Sequence, residues 1–312
     1  MNITHNMPVN QLPARTWNFL KVNEAVLPWP EQETIEPAPI ALVAAEGETV
    51  RERLTVSGQG AGTRQMVWVQ AAAGSDMTVF EAFRGDCPLA VQTRLDIGQN
   101  ARVHLVQVQL MAAKGLLYNR IDSQCAKDGR LKVTQIYVGK CDLYADTQVC
   151  LPADGGSLKA DIGYLGRANQ TLDMNLSVVH QGKRTQSEIN AAGALRDAAR
   201  KIFRGTIDFQ QGCADSTGDE KETVLMLGDD AVNKTVPLIL CAEENVVGNH
   251  GATIGQLDAD TLFYFESRGI AREQAEEILA RAALERLARG LNDPETEEAV
   301  QSALEEEACH GA

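Results

Sequence analysis

The sequence predicts a mainly β protein whose strands coil into a parallel β-helix, with a short N-terminal arm and a C-terminal helical pair. Three observations carry this. From about residue 50 to about residue 255, short runs alternate apolar and polar residues at the period of a half-buried strand: RQMVWVQ, ARVHLVQVQLM, GRLKVTQIYVG, QTLDMNLSVVHQG and RKIFRGTIDFQQG. Gly, Asn and Asp punctuate them, as in DIGQNA, AKDGR, LPADGG and GRANQ. Helical periodicity returns only near the end, in SRGIAREQAEEILARAALERLARG. So much strand with so little helix leaves a sandwich, a barrel or a coiled solenoid. A rhythm of roughly 10 to 14 residues fits the solenoid, in which every rung buries one face against its neighbours. Aromatic residues are only 5% of the chain, which suits a narrow interior of stacked aliphatics better than an immunoglobulin-like core.

Taken in chain order, residues 1–50 read as arm and linker. TWNFLKVNEAVLPWP brings Trp17, Leu20 and Val22 near Val26 as a short helical arm, which Pro28 and Pro30 end. Residues 31–50 hold Pro37, Pro39 and many Glu, the composition of a linker or irregular edge. Residues 51–260 form the β-helix core and 261–312 the helical region. In the first of its two helices Ala275, Ile278, Leu279, Ala282 and Leu287 make one stripe, with Gly290 just past the last turn. Asp293 then caps a second helix that starts at Pro294 with an acidic first turn. The apolar face of that helix, Val300 and Leu304, is thin: it docks onto a partner or packs on the first helix.

The formal charge of −14 argues against nucleic acid or an anionic membrane surface as the main partner, and suits a basic protein or a metal. From Gln256 onward there are 14 acidic and 5 basic residues, so the helical region carries most of the charge. No run approaches the roughly 18 apolar residues of a membrane span, and the first residues lack a signal-peptide core, so a cytoplasmic location is expected. Seven irregularly spaced cysteines without a CxxC pair then read as reduced thiols.

Common catalytic motifs are missing: GxxxxGK[ST], GxSxG and HExxH do not occur, and GQGAG at residues 58–62 lacks a βαβ context and reads as a flexible turn. Asp229–Asp230 and Glu243–Glu244 read as solvated turn carboxylates. Cys87, Cys125, Cys141 and Cys150 lie in or beside strands as small hydrophobes, and Cys309 is incidental. Cys213 follows Gly212 at a strand end and is expected to be exposed. His5 and His310 lie near the ends, while His104 and His180 are strand fillers. His250 stands apart, flanked by Gly248 and Gly251 with Cys241 one short strand upstream. It is either a metal ligand or a polar residue closing a turn.

KIFRGTIDFQQGC, ETVLMLGDDAVNKTVPLILCAEENVVGNHGATIGQLD and DADTLFYFESRGIAREQAEEILARA together resemble the core of the SufB/SufD family, scaffold proteins of the SUF iron–sulfur cluster assembly machinery. The likeness runs from Lys201 to Ala280, and the earlier strands match in texture only. It implies a right-handed parallel β-helix and no enzymatic activity. It also places the family's scaffold histidine at His250, in the His-Gly-Ala-Thr form of the SufD branch. The cysteine of the SufB branch falls, counting back from Gly228, on Glu222. An oxygen from Glu222, the thiol of Cys213, or a thiol from a paired subunit would then fill that role, and Cys241 is a further candidate. The implied cargo is a transient iron–sulfur cluster, consistent with soft thiolates, an occasional imidazole and a labile carboxylate as ligands. The implied partners are a SufC-type ABC ATPase on the C-terminal helices and a second SufB/SufD-like subunit, identical or paralogous. In this light His250 is a ligand at a subunit interface. Two other readings stay open: a SufD-like structural subunit binding no cluster, and a β-helix enzyme, either carbohydrate-active or a hexapeptide-type acyltransferase. Polysaccharide-acting β-helix enzymes are mostly secreted and align acids along one face, and the sequence shows neither feature.

Overall fold

The computed structural model describes residues 3–308, so Cys309 and His310 lie outside the described residues. Each strand of the core pairs with the strand two further along the chain, which winds the chain into a solenoid. One eight-stranded sheet holds the odd strands β3 (Ile40–Ala44), β5 (Thr63–Ala71), β7 (Leu89–Ile97), β9 (Leu116–Cys125), β11 (Asp142–Leu151), β13 (Thr171–His180), β15 (Arg200–Phe209) and β17 (Val232–Cys241). The other holds the even strands β4 (Thr49–Ser57), β6 (Asp76–Arg84), β8 (Arg102–Gln109), β10 (Arg130–Tyr137), β12 (Ser157–Gly166), β14 (Gln186–Leu195), β16 (Ser216–Met226) and β18 (Val246–Gly255). All of these pairings are parallel. The sequence expectation of a β-helix with C-terminal helices therefore holds.

Register explains why weakly repetitive sequence can still stack. Val79, Leu105, Val133, Ala160 and Ile189 form one inward column of the even sheet. Val149, Val178, Ile207 and Ile239 share one in the odd sheet. The stacked aliphatics form a continuous core along the axis. Corners repeat too. Asn100, Asp128, Gly155, Arg184 and Asp215 all have positive φ, and the N–H of each donates to a carbonyl in the next corner. Asn, Asp and Gly tolerate that conformation best, which is why they punctuate the strands.

The solenoid starts earlier than the sequence indicated. Ile35 already bridges Thr63, and β3 lies within the segment read as linker. The arm also differs, because it is not helical. β1 (Met7–Val9) and β2 (Ala25–Leu27) make an antiparallel hairpin, and only Asn18–Leu20 form a single 3-10 turn. Tertiary burial overrides local propensity here. Val9, Ala25, Leu27 and Trp29 pack on Ala90, Tyr118 and Tyr144 of the odd sheet's outer face, a pattern of alternation that only a strand can present.

Three helices follow the solenoid, one more than expected: α1 (Ala259–Glu266), α2 (Arg272–Gly290) and α3 (Pro294–Ala308). The buried stripe of α2 is Ala275, Ala280, Leu284 and Ala288, rotated from the expected one, and Ile278 stays about half exposed. Gly290 is the last residue of α2 and not the residue after it. Val300 and Leu304 are fully buried with Phe80, Val106, Ile136 and Leu284, so the thin face of α3 seals the even sheet and α2. Gly163 permits this closeness: a Cβ there would lie 2.7 Å from Leu287 and 3.1 Å from Leu284. Asp293 caps α3 through Thr296 N (3.0 Å) and also accepts from Arg53 Nη2 at 2.7 Å, tying the helix to β4. Burial would raise its carboxyl, but the bonds from Thr296 and Arg53 outweigh this and hold it at about 2. No helix among the described residues is long and apolar enough to cross a membrane.

Candidate functional site

The arm covers part of the odd sheet and the helices part of the even one, but among the described residues no strand pairs with β17 or β18 on their far side. They form the last rung, and it is open. Its inward positions are Asn233, Thr235, Pro237, Ile239 and Cys241 on β17, with Val246, Gly248, His250, Ala252 and Ile254 on β18. Pro237 suits such an edge, since it can donate nothing to a ladder. Gly248 suits the narrow interior, because a Cβ there would lie 3.0 Å from Phe209 and 3.3 Å from Ile239.

His250 is the fifth residue of β18, within the strand and not in a turn. It is exposed, and it has no hydrogen-bond or ion-pair partner among the described residues. One strand spacing below it, about 4.8 Å at the backbone, its register partner is Glu220 of β16. Glu220 is almost fully buried, and its Oε2 has no hydrogen-bond partner among the described residues. Burial, then the nearby charge of Glu222, push its carboxyl up to about 7 despite the opposing effect of Lys201. The carboxyl lies over Gly205, where a Cβ would fall 2.3 Å from its Cδ and Oε1, so only glycine leaves it room.

Glu222 is buried and heavily engaged. Lys201 Nζ and Tyr164 Oη (3.2 Å) donate to Oε1, and Thr235 Oγ1 donates to Oε2 at 2.5 Å. Lys201 is itself fully buried, and burial pulls its ammonium down while Glu222 pushes it back up. Any ligand role for Glu222 has to displace one of these three partners.

The two cysteines sit elsewhere, at the corner where β17 ends. Cys241 is exposed, and its Sγ donates to Glu243 O at 3.1 Å. Cys213 is buried, contrary to expectation, because the turn at residues 210–215 folds its side chain into the core. Burial, then the charge of Glu243, push its thiol up, which disfavours the thiolate that binds metal. Glu243 is no free-standing turn acid: its carboxylate accepts from Gly212 N (2.9 Å) and Glu244 N (3.0 Å). From Val246 at this corner to His250 the chain climbs roughly 13 Å of strand. The structure thus pairs Cys213 with Cys241 and places His250 beside Glu220 and Glu222, as two separate sets. Among the described residues no group of three or more His, Cys, Asp and Glu is placed to hold a metal ion.

The other reactive side chains are structural. His180 is buried between Thr185 Oγ1 (2.7 Å) and Ser187 Oγ (2.9 Å), and burial lowers it to about 4. His104 meets Thr134 Oγ1 at 3.0 Å, and burial followed by Lys132 lowers it to about 4. Cys125 and Cys141 are buried, and Cys87 and Cys150 half-buried.

Glu220, Lys201, Tyr164 and Thr235 escaped the sequence reading. Lys201 was detectable, since it occupies the otherwise apolar parity of Phe203, Ile207 and Phe209. Glu220 was not: the stretch Asp219–Glu222 has no apolar member, so alternation cannot say which pair points inward.

Fold and site together define a β-solenoid protein, partly covered on its sides by arm and helices, with a terminal rung open to solvent. The chain belongs to the SufBD family: residues 54–283 match the family model described as SUF system FeS cluster assembly, SufBD core domain. Among its relatives, the iron–sulfur cluster assembly protein SufD of Bacillus subtilis is 27% identical over 183 residues, covering 58% of this chain and 42% of that protein. SufD of Escherichia coli is 25% identical over 226 residues, 71% of this chain and 53% of that protein. The chloroplastic SufBD family protein ABCI8 of Arabidopsis thaliana is 27% identical over 194 residues, 60% of this chain and 35% of that protein. The chain thus matches about half or less of the length of these relatives.

Proposed function

We propose that this chain is a non-enzymatic scaffold subunit of a SUF iron–sulfur cluster assembly complex, holding its cargo cluster transiently at the open end. The observation that carries the reading is His250 itself: an exposed, unpartnered imidazole at an inward position of the last rung. A side chain in that place meets whatever joins the end of the solenoid. Its neighbours Glu220 and Glu222, and the corner pair Cys213 and Cys241, are too few and too scattered to enclose a cluster within one chain. A second SufB/SufD-like subunit supplies the missing ligands in this reading. Incomplete ligation per subunit also suits a scaffold that must release what it builds.

The proposed second partner is a SufC-type ABC ATPase docked on the C-terminal helices. Val300 and Leu304 are buried, so the apolar stripe of α3 is not free to dock it. Phe263 and Tyr264 of α1 and Ile278 of α2 remain exposed apolar side chains there, and exposed aromatics of this kind anchor partners. Phe263→Ala/Tyr264→Ala is expected to lose co-purification with the ATPase while the protein stays folded.

Anaerobic reconstitution of the assembled complex with iron and sulfide tests the site. The wild type should develop cluster absorbance, and His250→Ala should lose most of it along with bound iron. Equal cluster in both would leave a purely structural subunit, a reading that the scattered donors and the committed Glu222 also support.

A further inference from the structure

The N-terminal arm takes a directed course. On the outer face of the odd sheet, Asn10 Nδ2 donates to Asp173 Oδ1 of β13 (2.6 Å), Arg204 Nε of β15 to Val22 O (2.5 Å), and Lys234 Nζ of β17 to Leu20 O (2.8 Å). The contacts step one strand at a time toward the open end, and the arm's tip reaches the last strand. That tip carries Trp17 and Phe19, 74% and 70% exposed, with ring centroids 5.5 Å apart.

The tip is held in shape. Asn23 accepts from Thr16 N (2.7 Å) and donates to Thr16 O and Asn18 Oδ1 (3.0 Å each), and Lys21 closes the 3-10 turn in a left-handed conformation. Two aromatic side chains kept in water on an ordered turn lose little entropy on docking. Preorganised aromatic anchors of this sort dominate interface energetics.

A matching surface lies on the same strand. The outward side chains of β17 include Val236, Leu238 and Leu240, all only half buried, and no helix or arm cluster includes them. The tip sits near the start of β17, at Lys234, and Leu238 and Leu240 lie near its end. If two copies meet end on about a two-fold axis that sets β17 beside its symmetry mate, the two strands run antiparallel. The tip of each copy then faces Leu238 and Leu240 of the other. Such self-complementarity is what a two-fold interface requires.

Building on the end-on pairing in the proposed function, we propose that the Trp17–Phe19 tip is a clasp that reaches across the open end and docks on the Leu238–Leu240 stripe of a second copy of this chain. Open strand edges pair promiscuously. An aromatic clasp beside the edge fixes both the partner and the register.

Sedimentation velocity across a range of concentrations tests this on the full chain, with thermal melts confirming that each variant is folded. The wild type should form a dimer. Trp17→Ala/Phe19→Ala and Leu238→Ser/Leu240→Ser should each weaken it by about tenfold or more. Trp17 emission, isolated as the difference between wild type and Trp17→Phe, should shift to the blue on dimerisation. Val247→Lys/Ile254→Lys places charge on the β18 edge and tests the end-on pairing separately. If that variant is monomeric while the tip variant dimerises like the wild type, end-on pairing stands and the clasp is wrong. If the edge lysines leave dimerisation unchanged, end-on pairing fails and the clasp with it. A wild type that stays monomeric at every concentration also overturns the clasp.

Discussion

Two glutamates inside the solenoid, Glu81 and Glu220, contrast its two ends, since β6 lies one strand from the β4 edge and β16 one strand from the β18 edge. Both face inward on the even sheet, both are nearly fully buried, and burial raises each to about 7. Around Glu81 the two strands that follow β6 supply partners. Gln107 Nε2 donates at 2.7 Å and Thr93 Oγ1 at 3.1 Å, while Gln107 in turn accepts from Asn119 (2.6 Å) and Gln135 (3.0 Å). Glu220 has one neighbouring rung that is the last, an unpartnered oxygen, and an exposed histidine above it. Near the first rung the acid is a satisfied structural element, whereas the same residue type at the mouth keeps capacity for something that arrives later.

The largest expected effect breaks the mouth's charge balance. Lys201→Met leaves Glu222 buried without its cation and should cost about 3–5 kcal/mol in chemical denaturation. Lys201→Met/Glu222→Leu should recover much of that. A loss near zero for the single variant would show that the pair is not buried as ions.

A smaller effect appears with pH. Glu81 and Glu220 have folded values above the ordinary 4.5, so the folded state holds their protons more tightly. Their stabilisation is complete below about pH 4.5 and is lost as pH rises through about 7, by up to about 3 kcal/mol each. Unfolding free energy should therefore fall across that window. Glu81→Gln and Glu220→Gln should each flatten the fall. Burying the mouth under a partner should deepen the Glu220 share and leave the Glu81 share unchanged. Identical behaviour of the two in the free and assembled protein would erase the contrast between them.

Gly205→Ala crowds the Glu220 carboxyl and should cost about 1–3 kcal/mol. Adding Glu220→Ala should restore most of it, because the clash then has no partner. Smallest in stability is His250→Ala, expected within about 1 kcal/mol because the side chain is exposed and unpartnered. A large loss in its thermal melt would mean that His250 packs in a way its exposure denies.

Legibility in the sequence followed from how local each feature is. The strands from Arg64 to Phe209 were readable because alternation and corner residues are written over a few positions. The arm was not, because Leu27 and Trp29 gain their burial from Tyr118 and Tyr144, far along the chain. Within the site, His250 and Cys241 stood out by type and neighbourhood, but the burial of Cys213 depended on how one turn folds inward.

By itself, the sequence determined the solenoid, the helical ending and the family, since period, punctuation and a long matched segment survive without any long-range information. Only the tertiary structure decided which side chains of the last rungs point inward, and that Glu222 is bound to Lys201 while Glu220 is left with a free oxygen. It alone revealed that the arm runs toward the open end. Which side chains point inward depends on register between strands a full turn apart, and a shift of one residue would reverse it.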